Sequence, residues 1–159
     1  MIEGIHALNP ALVEDINRSR LFKTYVSALG GLNIDMANRV PSTEARLLRR
    51  LVRDDNTRGI SPLETIERWA SVRRGEYRNV FRFQEDADVM FNSSLLYELN
   101  ALRPFAEAAL RKIPDDSRAS DTRERLMNLL SFFDPMDVSK VPFNSILREF
   151  IGGSIYTDG

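Results

Sequence analysis

One stretch of this sequence limits the possible folds more than any other. Across residues 45–53, Ala45, Leu48, Leu51 and Val52 fall on one side of a helical projection. Arg46, Arg49, Arg50 and Arg53 fall on the opposite side, at i, i+3, i+4 and i+7. Pro41-Ser42 opens this helix, and Glu44 lies in its first turn, where a carboxylate complements the helix dipole. The polar run Asp54-Asp55-Asn56-Thr57-Arg58-Gly59 ends in a stop. A second helix starts directly afterwards, with Ser61 as N-cap, Pro62 in the first position and Glu64 completing a capping box. Its apolar stripe is Leu63, Ile66, Trp69 and Ala70, and it is expected to reach at least Arg74, with Gly75 as a candidate break, and to continue through Phe83.

The flanking sequence mixes strand and helix signals. Residues 2–8 read as the end of a buried strand, and Asn9-Pro10 opens a short helix to about Asn17. Residues 22–29 mix aromatic and β-branched side chains, as a strand does, and Gly30-Gly31 ends them. Residues 88–92 read as a strand, and 95–102 as another paired with it. Pro104 is expected to open a helix to Ile113. Asp121, with Glu124 three residues later, caps a helix whose apolar side includes Leu126, Leu129, Leu130 and Phe133. A last helix over 145–151 stops at Gly152-Gly153. Internal repeats and low-complexity tracts are absent from the sequence, and the loop at 115–120 is the candidate boundary.

With 159 residues, 43% hydrophobic and 28% charged, the composition is that of a folded domain. The sequence has no apolar run of membrane-spanning length and no secretory signal pattern at its start. It also has no cysteine, which excludes disulfides and thiolate chemistry, and the expected setting is cytoplasmic. A single histidine, His6, excludes a two-histidine zinc site. Net charge is −1, yet ten arginines lie between Arg46 and Arg82 against the five acids Asp54, Asp55, Glu64, Glu67 and Glu76. Only Lys23, Lys112 and Lys140 are lysine, and arginine favours bidentate recognition of phosphate or carboxylate.

Spacing alone leaves two readings of the arginine helix open, a solvated face and a phosphate clamp. In the clamp reading Arg46, Arg50 and Arg53 project together away from the core, and Arg58 follows in the turn. Glu3-Gly4 at a strand end reads by itself as solvated, although a carboxylate there is also suited to holding Mg²⁺. His6 reads as a packing or capping residue, and Trp69, Tyr77, Phe81 and Phe83 as core. The sequence contains no Gly-x-x-x-x-Gly-Lys-Ser/Thr and no Gly-x-Gly-x-x-Gly.

Taken in order, Glu3-Gly4-Ile5, the lid-like Arg49-Arg50-Leu51-Val52-Arg53-Asp54 with Arg58-Gly59, and Ala87-Asp88-Val89 resemble the phosphoribulokinase/uridine kinase family. Residues 3–10, 47–54, 69–76, 83–98 and 144–153 resemble a bacterial nucleoside (uridine) kinase subgroup. Its larger members carry N-terminal domains similar to parts of threonyl-tRNA synthetase. One departure is Ile60, where typical uridine kinases have a further arginine after the lid glycine.

The resemblance implies an α/β fold, the C-terminal half of a P-loop kinase with a partial parallel sheet and a helical lid, followed by a helical C-terminal extension. Residues 1–102 then form the kinase part, with the lid at about 42–83, and 103–159 form the extension. It implies transfer of the ATP γ-phosphate to a nucleoside 5′-hydroxyl, with the phosphate loop expected upstream of Met1. Arg53 and Arg58 are the implied catalytic pair, Arg46, Arg49 and Arg50 the implied phosphate-binding lid residues, and Glu3 the implied metal ligand. ATP and Mg²⁺ are the cofactors of the intact kinase, and neither is expected to bind this chain tightly by itself. The expected partners are nucleotide, nucleoside, and a missing N-terminal half or a second copy. The alternative is a non-catalytic arginine-rich module that binds RNA, nucleotide or protein, with nucleic acid the less favoured partner and no membrane contact.

Overall fold

A computed structural model of the protein describes residues 1–4, 6–28 and 30–156. Among the described residues the fold is mixed α/β, with five α-helices and a two-stranded parallel sheet. The strands are β1 (Thr24–Ser27) and β2 (Val89–Asn92); the helices are α1 (Ser42–Thr57), α2 (Pro62–Asn79), α3 (Glu98–Leu110), α4 (Ser120–Ser131) and α5 (Arg148–Ile151). The chain divides into two compact units. A sheet unit comprises Met1–Leu29 with Trp69–Ser93, and a helical unit comprises Gly30–Arg68 with Ser94–Gly159. The position between 102 and 103, expected as a domain boundary, falls inside α3. No helix among the described residues is long and apolar enough to cross a membrane.

In the helical unit, α1 forms where the alternation of leucine and arginine predicts it. Leu47, Leu48, Leu51 and Val52 are buried against α3 and α5. Gly59, in the left-handed region at φ 63°, ends the helix, and the Asp54 carbonyl accepts the N–H groups of Arg58 at 3.2 Å and of Ile60 at 3.1 Å across the stop. Ser61 caps α2 as expected, its Oγ accepting from the Glu64 N–H at 3.2 Å. Helix α2 runs through Gly75 without a break and continues after Asn79 into a 3-10 segment, Phe81–Asp86.

The segment 95–102 corrects the sequence expectation. It is not a strand paired with 88–92 but contains the first turns of α3, and Pro104 lies inside that helix rather than opening it. The burial of Leu99, Leu102, Ala106 and Leu110 follows a helical period that continues across the proline. Proline removes one N–H and leaves the carbonyl four residues earlier without its helical donor. That carbonyl, on Asn100, instead accepts from the Met136 N–H at 3.1 Å, while Asn100 Nδ2 donates to the Asp134 carbonyl at 2.8 Å. The incoming loop therefore satisfies the proline's defect. Helix α4 buries Leu126, Leu129 and Leu130 but has no side-chain cap, so the Asp121 cap is not formed. The last helix is shorter than expected: 145–147 form a turn and α5 begins at Arg148.

In the sheet unit the strands match expectation in place. Thr24 pairs with Val89 and Ser27 with Asn92 in parallel register. Asp88 fixes the start of this pairing by accepting from the Lys23 N–H at 2.7 Å and from the Arg18 guanidinium. Those bonds, that from Arg18 first, hold its carboxyl below the usual aspartate value. The remainder of this unit departs from expectation. Residues 2 and 3 are irregular, Gly4 is a bend and 6–8 form a turn, so no strand forms among them, and residue 5 lies outside the described residues. The helix expected over 9–17 reduces to one 3-10 turn, Pro10–Leu12, capped by Asn9. Leu12 and Ile16 remain exposed, so a helix there has no buried face to stabilise it. Of the four aromatics expected in the core none is buried, and Tyr77 is largely exposed.

Candidate anion-binding site

Helix α1 positions all the arginines named from the sequence, but it does not present them as one open face. The acids that compensate them come from α1 itself and from other helices of the helical unit. Arg49 forms a fork with Glu98 of α3 through Nε and Nη2, and both side chains are nearly buried. The Arg49 guanidinium also lies 5.5 Å from the centre of the Phe150 ring. Arg50 Nε is 3.2 Å from Asp54 Oδ2. Arg53 Nη1 is 2.6 Å from Glu149 Oε1. Arg58, just past the helix, donates from Nη1 to Asp54 Oδ1 at 3.2 Å. Arg46 is half-buried. The expectation that Arg46, Arg50 and Arg53 project together away from the core is therefore not met, because Arg50 reaches one turn forward along the helix to a buried carboxylate.

An open cleft of about 840 Å³ lies in the helical unit. One wall is Arg53, Thr57 and Arg58; the other is built from Asn144, Ser145, Ile146, Arg148 and Glu149, with Gly152, Gly153, Ser154 and Tyr156 completing it. Of the sequence-predicted residues, Arg53 and Arg58 line this cleft, whereas Arg46, Arg49 and Arg50 do not. Glu3 belongs to the sheet unit and is exposed, as is His6. No three His, Asp or Glu side chains among the described residues gather in the way metal ligands do.

Arg148 makes the second wall rigid. Its Nη2 donates to the Val138 carbonyl at 2.9 Å and to the Val141 carbonyl, and its Nη1 donates to the Gly152 carbonyl at 3.3 Å. The guanidinium lies 5.1 Å from the centre of the Phe143 ring. Gly152 and Gly153 adopt φ of 84° and 73°, which turn the chain back toward Arg148. At Gly153 a Cβ would meet Arg148 Nη1 at 3.4 Å, an ordinary contact, so the positive φ and not crowding favours glycine there.

The arrangement offers an anion two guanidinium groups that are only partly engaged, at 33% and 41% side-chain exposure for Arg53 and Arg58. Ser145 and Ser154 add hydroxyl donors around the same space, whereas the Thr57 hydroxyl already donates to the Arg53 carbonyl at 2.8 Å. Sequence reasoning missed Arg148, Ser145, Ser154 and Tyr156, because Gly152-Gly153 reads as an ordinary helix stop. The closely spaced Ser145, Arg148 and Glu149 before those glycines are the signal that marks a built wall. Comparison with known proteins finds no matching family model, no matching curated protein and no matching solved structure.

Proposed function

We propose that this chain is the lid-bearing part of an ATP-dependent nucleoside kinase of the uridine kinase type, and that the cleft beside α1 takes the phosphates of the nucleotide. The observation that carries this reading is the convergence of Arg53 and Arg58 on one cleft. Phosphoryl transfer is catalysed largely by positioning and charge compensation, and two guanidinium forks beside hydroxyl donors supply both. The Arg53–Glu149 pair is half-exposed, and such pairs contribute little, so a polyphosphate can displace it. The rival reading, an arginine face for RNA or a protein partner, is weakened because Glu98 and Asp54 hold Arg49 and Arg50.

Within this reading ATP and Mg²⁺ are the cofactors of the intact kinase, and a nucleoside 5′-hydroxyl is the acceptor. Glu3 offers a single exposed carboxylate, and a magnesium ion is commonly held by one or two carboxylates together with the phosphates of a nucleotide, so in this reading those phosphates complete the shell. The sequence holds no backbone cradle of the Gly-x-x-x-x-Gly-Lys-Ser/Thr kind. The chain by itself is therefore expected to bind polyphosphate weakly and to transfer nothing. Coupled assays with ATP, Mg²⁺ and a panel of nucleosides are expected to stay at background, and robust turnover by the purified chain would contradict the need for a separate phosphate loop. In a complex that supplies that loop, Arg53→Ala and Arg58→Ala are expected to slow transfer far more than they weaken nucleoside binding. Unchanged single-turnover rates in both variants would reduce the arginines to surface residues.

A further inference from the structure

The most buried charged side chain among the described residues is Asp54, 1% exposed and one turn before the cleft arginine Arg58. A buried carboxylate is costly unless it is paired and hydrogen-bonded. Asp54 meets this condition with three partners on three different segments. Its Oδ1 accepts from Arg58 Nη1 at 3.2 Å, in the turn after α1. Its Oδ2 lies 3.2 Å from Arg50 Nε, one turn back on α1, and accepts from Thr65 Oγ1 of α2, also at 3.2 Å. The backbone of the same residue repeats the connection, because the Asp54 carbonyl accepts the N–H groups of both Arg58 and Ile60. The whole turn from α1 to α2 is thus closed on one residue, through main chain and side chain together.

The consequence for the cleft lies in how Arg58 is held. A free arginine on a polar turn samples many rotamers, and ordering it on a ligand costs side-chain entropy. Here one terminal nitrogen is fixed on a carboxylate that is itself fixed by Thr65 and Arg50, while the rest of the guanidinium, in a side chain 41% exposed, lines the cleft. We propose that Asp54 is a positioning residue of the anion site, holding Arg58 by Nη1 so that its other donors face the ligand. Thr65 is the brace that keeps the carboxylate in place.

The sign of one effect separates this role from its rivals. If Asp54 acts only as a nearby negative charge, neutralising it tightens anion binding. If it acts only in folding, neutralising it lowers stability and leaves affinity unchanged. If it positions Arg58, neutralising it weakens anion binding although a repulsive charge has been removed. The proposal takes its ligand from the polyphosphate reading above, but its ligand-free half rests on geometry alone.

The test uses the full chain with Asp54→Asn and Thr65→Val, probed by tripolyphosphate titration and by ¹⁵N relaxation of the Arg58 Nε–H in the free protein. Asp54→Asn is expected to release Arg58 to the mobility of a solvent-exposed arginine and to weaken tripolyphosphate about tenfold. Thr65→Val, which removes only the brace, is expected to do both to a smaller degree, about threefold in affinity, and it carries the test if Asp54→Asn does not fold. An Arg58 Nε–H that stays ordered in the variants, or tripolyphosphate bound equally or more tightly, overturns the role. If the parent chain takes up no tripolyphosphate, the cleft reading falls by itself and Arg58 relaxation alone decides the positioning role.

Discussion

The two units of this protein are built on opposite terms. Among the described residues the helical unit holds nearly the whole buried apolar core, from Leu47 and Leu51 of α1 through Leu102 and Leu110 of α3 to Leu130 and Leu147. The sheet unit contributes only Tyr25 to that list. It leaves Phe22, Val26, Met90 and Phe91 exposed, the last two on a strand without a single buried residue. Parallel sheets are ordinarily covered on both faces, and two strands by themselves are marginal. The lesson is that local signal and local stability are separate quantities. Both strands were readable in the sequence, yet only the helices are supported by enough burial to stand as a core.

The largest effects should fall in the helical unit. Glu98→Ala leaves Arg49 as a nearly buried charge without its fork and is expected to cost about 3–5 kcal/mol. Replacing both partners by apolar residues, Arg49→Met with Glu98→Leu, is expected to be close to neutral, because the desolvation of both charges disappears together. Chemical denaturation of Arg49→Met, Glu98→Leu and the double variant measures this. Additive losses in the double variant would show that the pair is not a coupled unit.

A sharper comparison comes from one core deletion in each unit. Leu102→Ala, at a fully buried position of α3, is expected to destabilise the helical unit by about 2–5 kcal/mol. Tyr25→Ala is expected to remove amide protection from β1 and β2 while shifting the main unfolding transition by less than about 1 kcal/mol. Hydrogen exchange resolved by residue reads both. If strand amides open only together with α1 and α3, the two units are one cooperative structure and the contrast fails.

A smaller effect concerns acid. Arg18 and the Lys23 N–H hold the Asp88 carboxyl below the ordinary aspartate value of 3.8. A lowered folded-state value means that the stabilisation is complete above the unfolded value and is lost as the pH falls through the folded one. Strand pairing is therefore expected to weaken only below about pH 4, and Asp88→Asn is expected to abolish that step. Glu107, lowered chiefly by its bond from Arg103 and further by Arg111, gives the helical unit a loss of the same sign. Side-chain carboxyl resonances, followed residue by residue, tell the two apart. The Arg18–Asp88 pair is substantially solvent-exposed, and salt is expected to reduce its share.

How far the sequence revealed all this depends on the distance over which each signal acts. The period of α1, the stop at Gly59 and the Ser61 cap are local, and each was legible. Pro104 misled, because the partner for the Asn100 carbonyl comes from Met136, which no local pattern announces. The arginine stripe was legible as a stripe but not as a set of ion pairs. Glu98 and Glu149 reach it from α3 and α5, and only the fold brings them there. The same holds for the cleft, whose first wall was named from Arg53 and Arg58 and whose second wall was not.

The most direct measurement of the central claim is a titration of ATP into the ¹⁵N-labelled chain, read at each backbone amide. Weak, saturable shifts are expected to cluster at Arg53, Thr57, Arg58, Ser145 and Gly152, and to disappear in Arg58→Ala while the remainder of the spectrum is kept. Shifts absent from both walls of the cleft, or unchanged in Arg58→Ala, would contradict it.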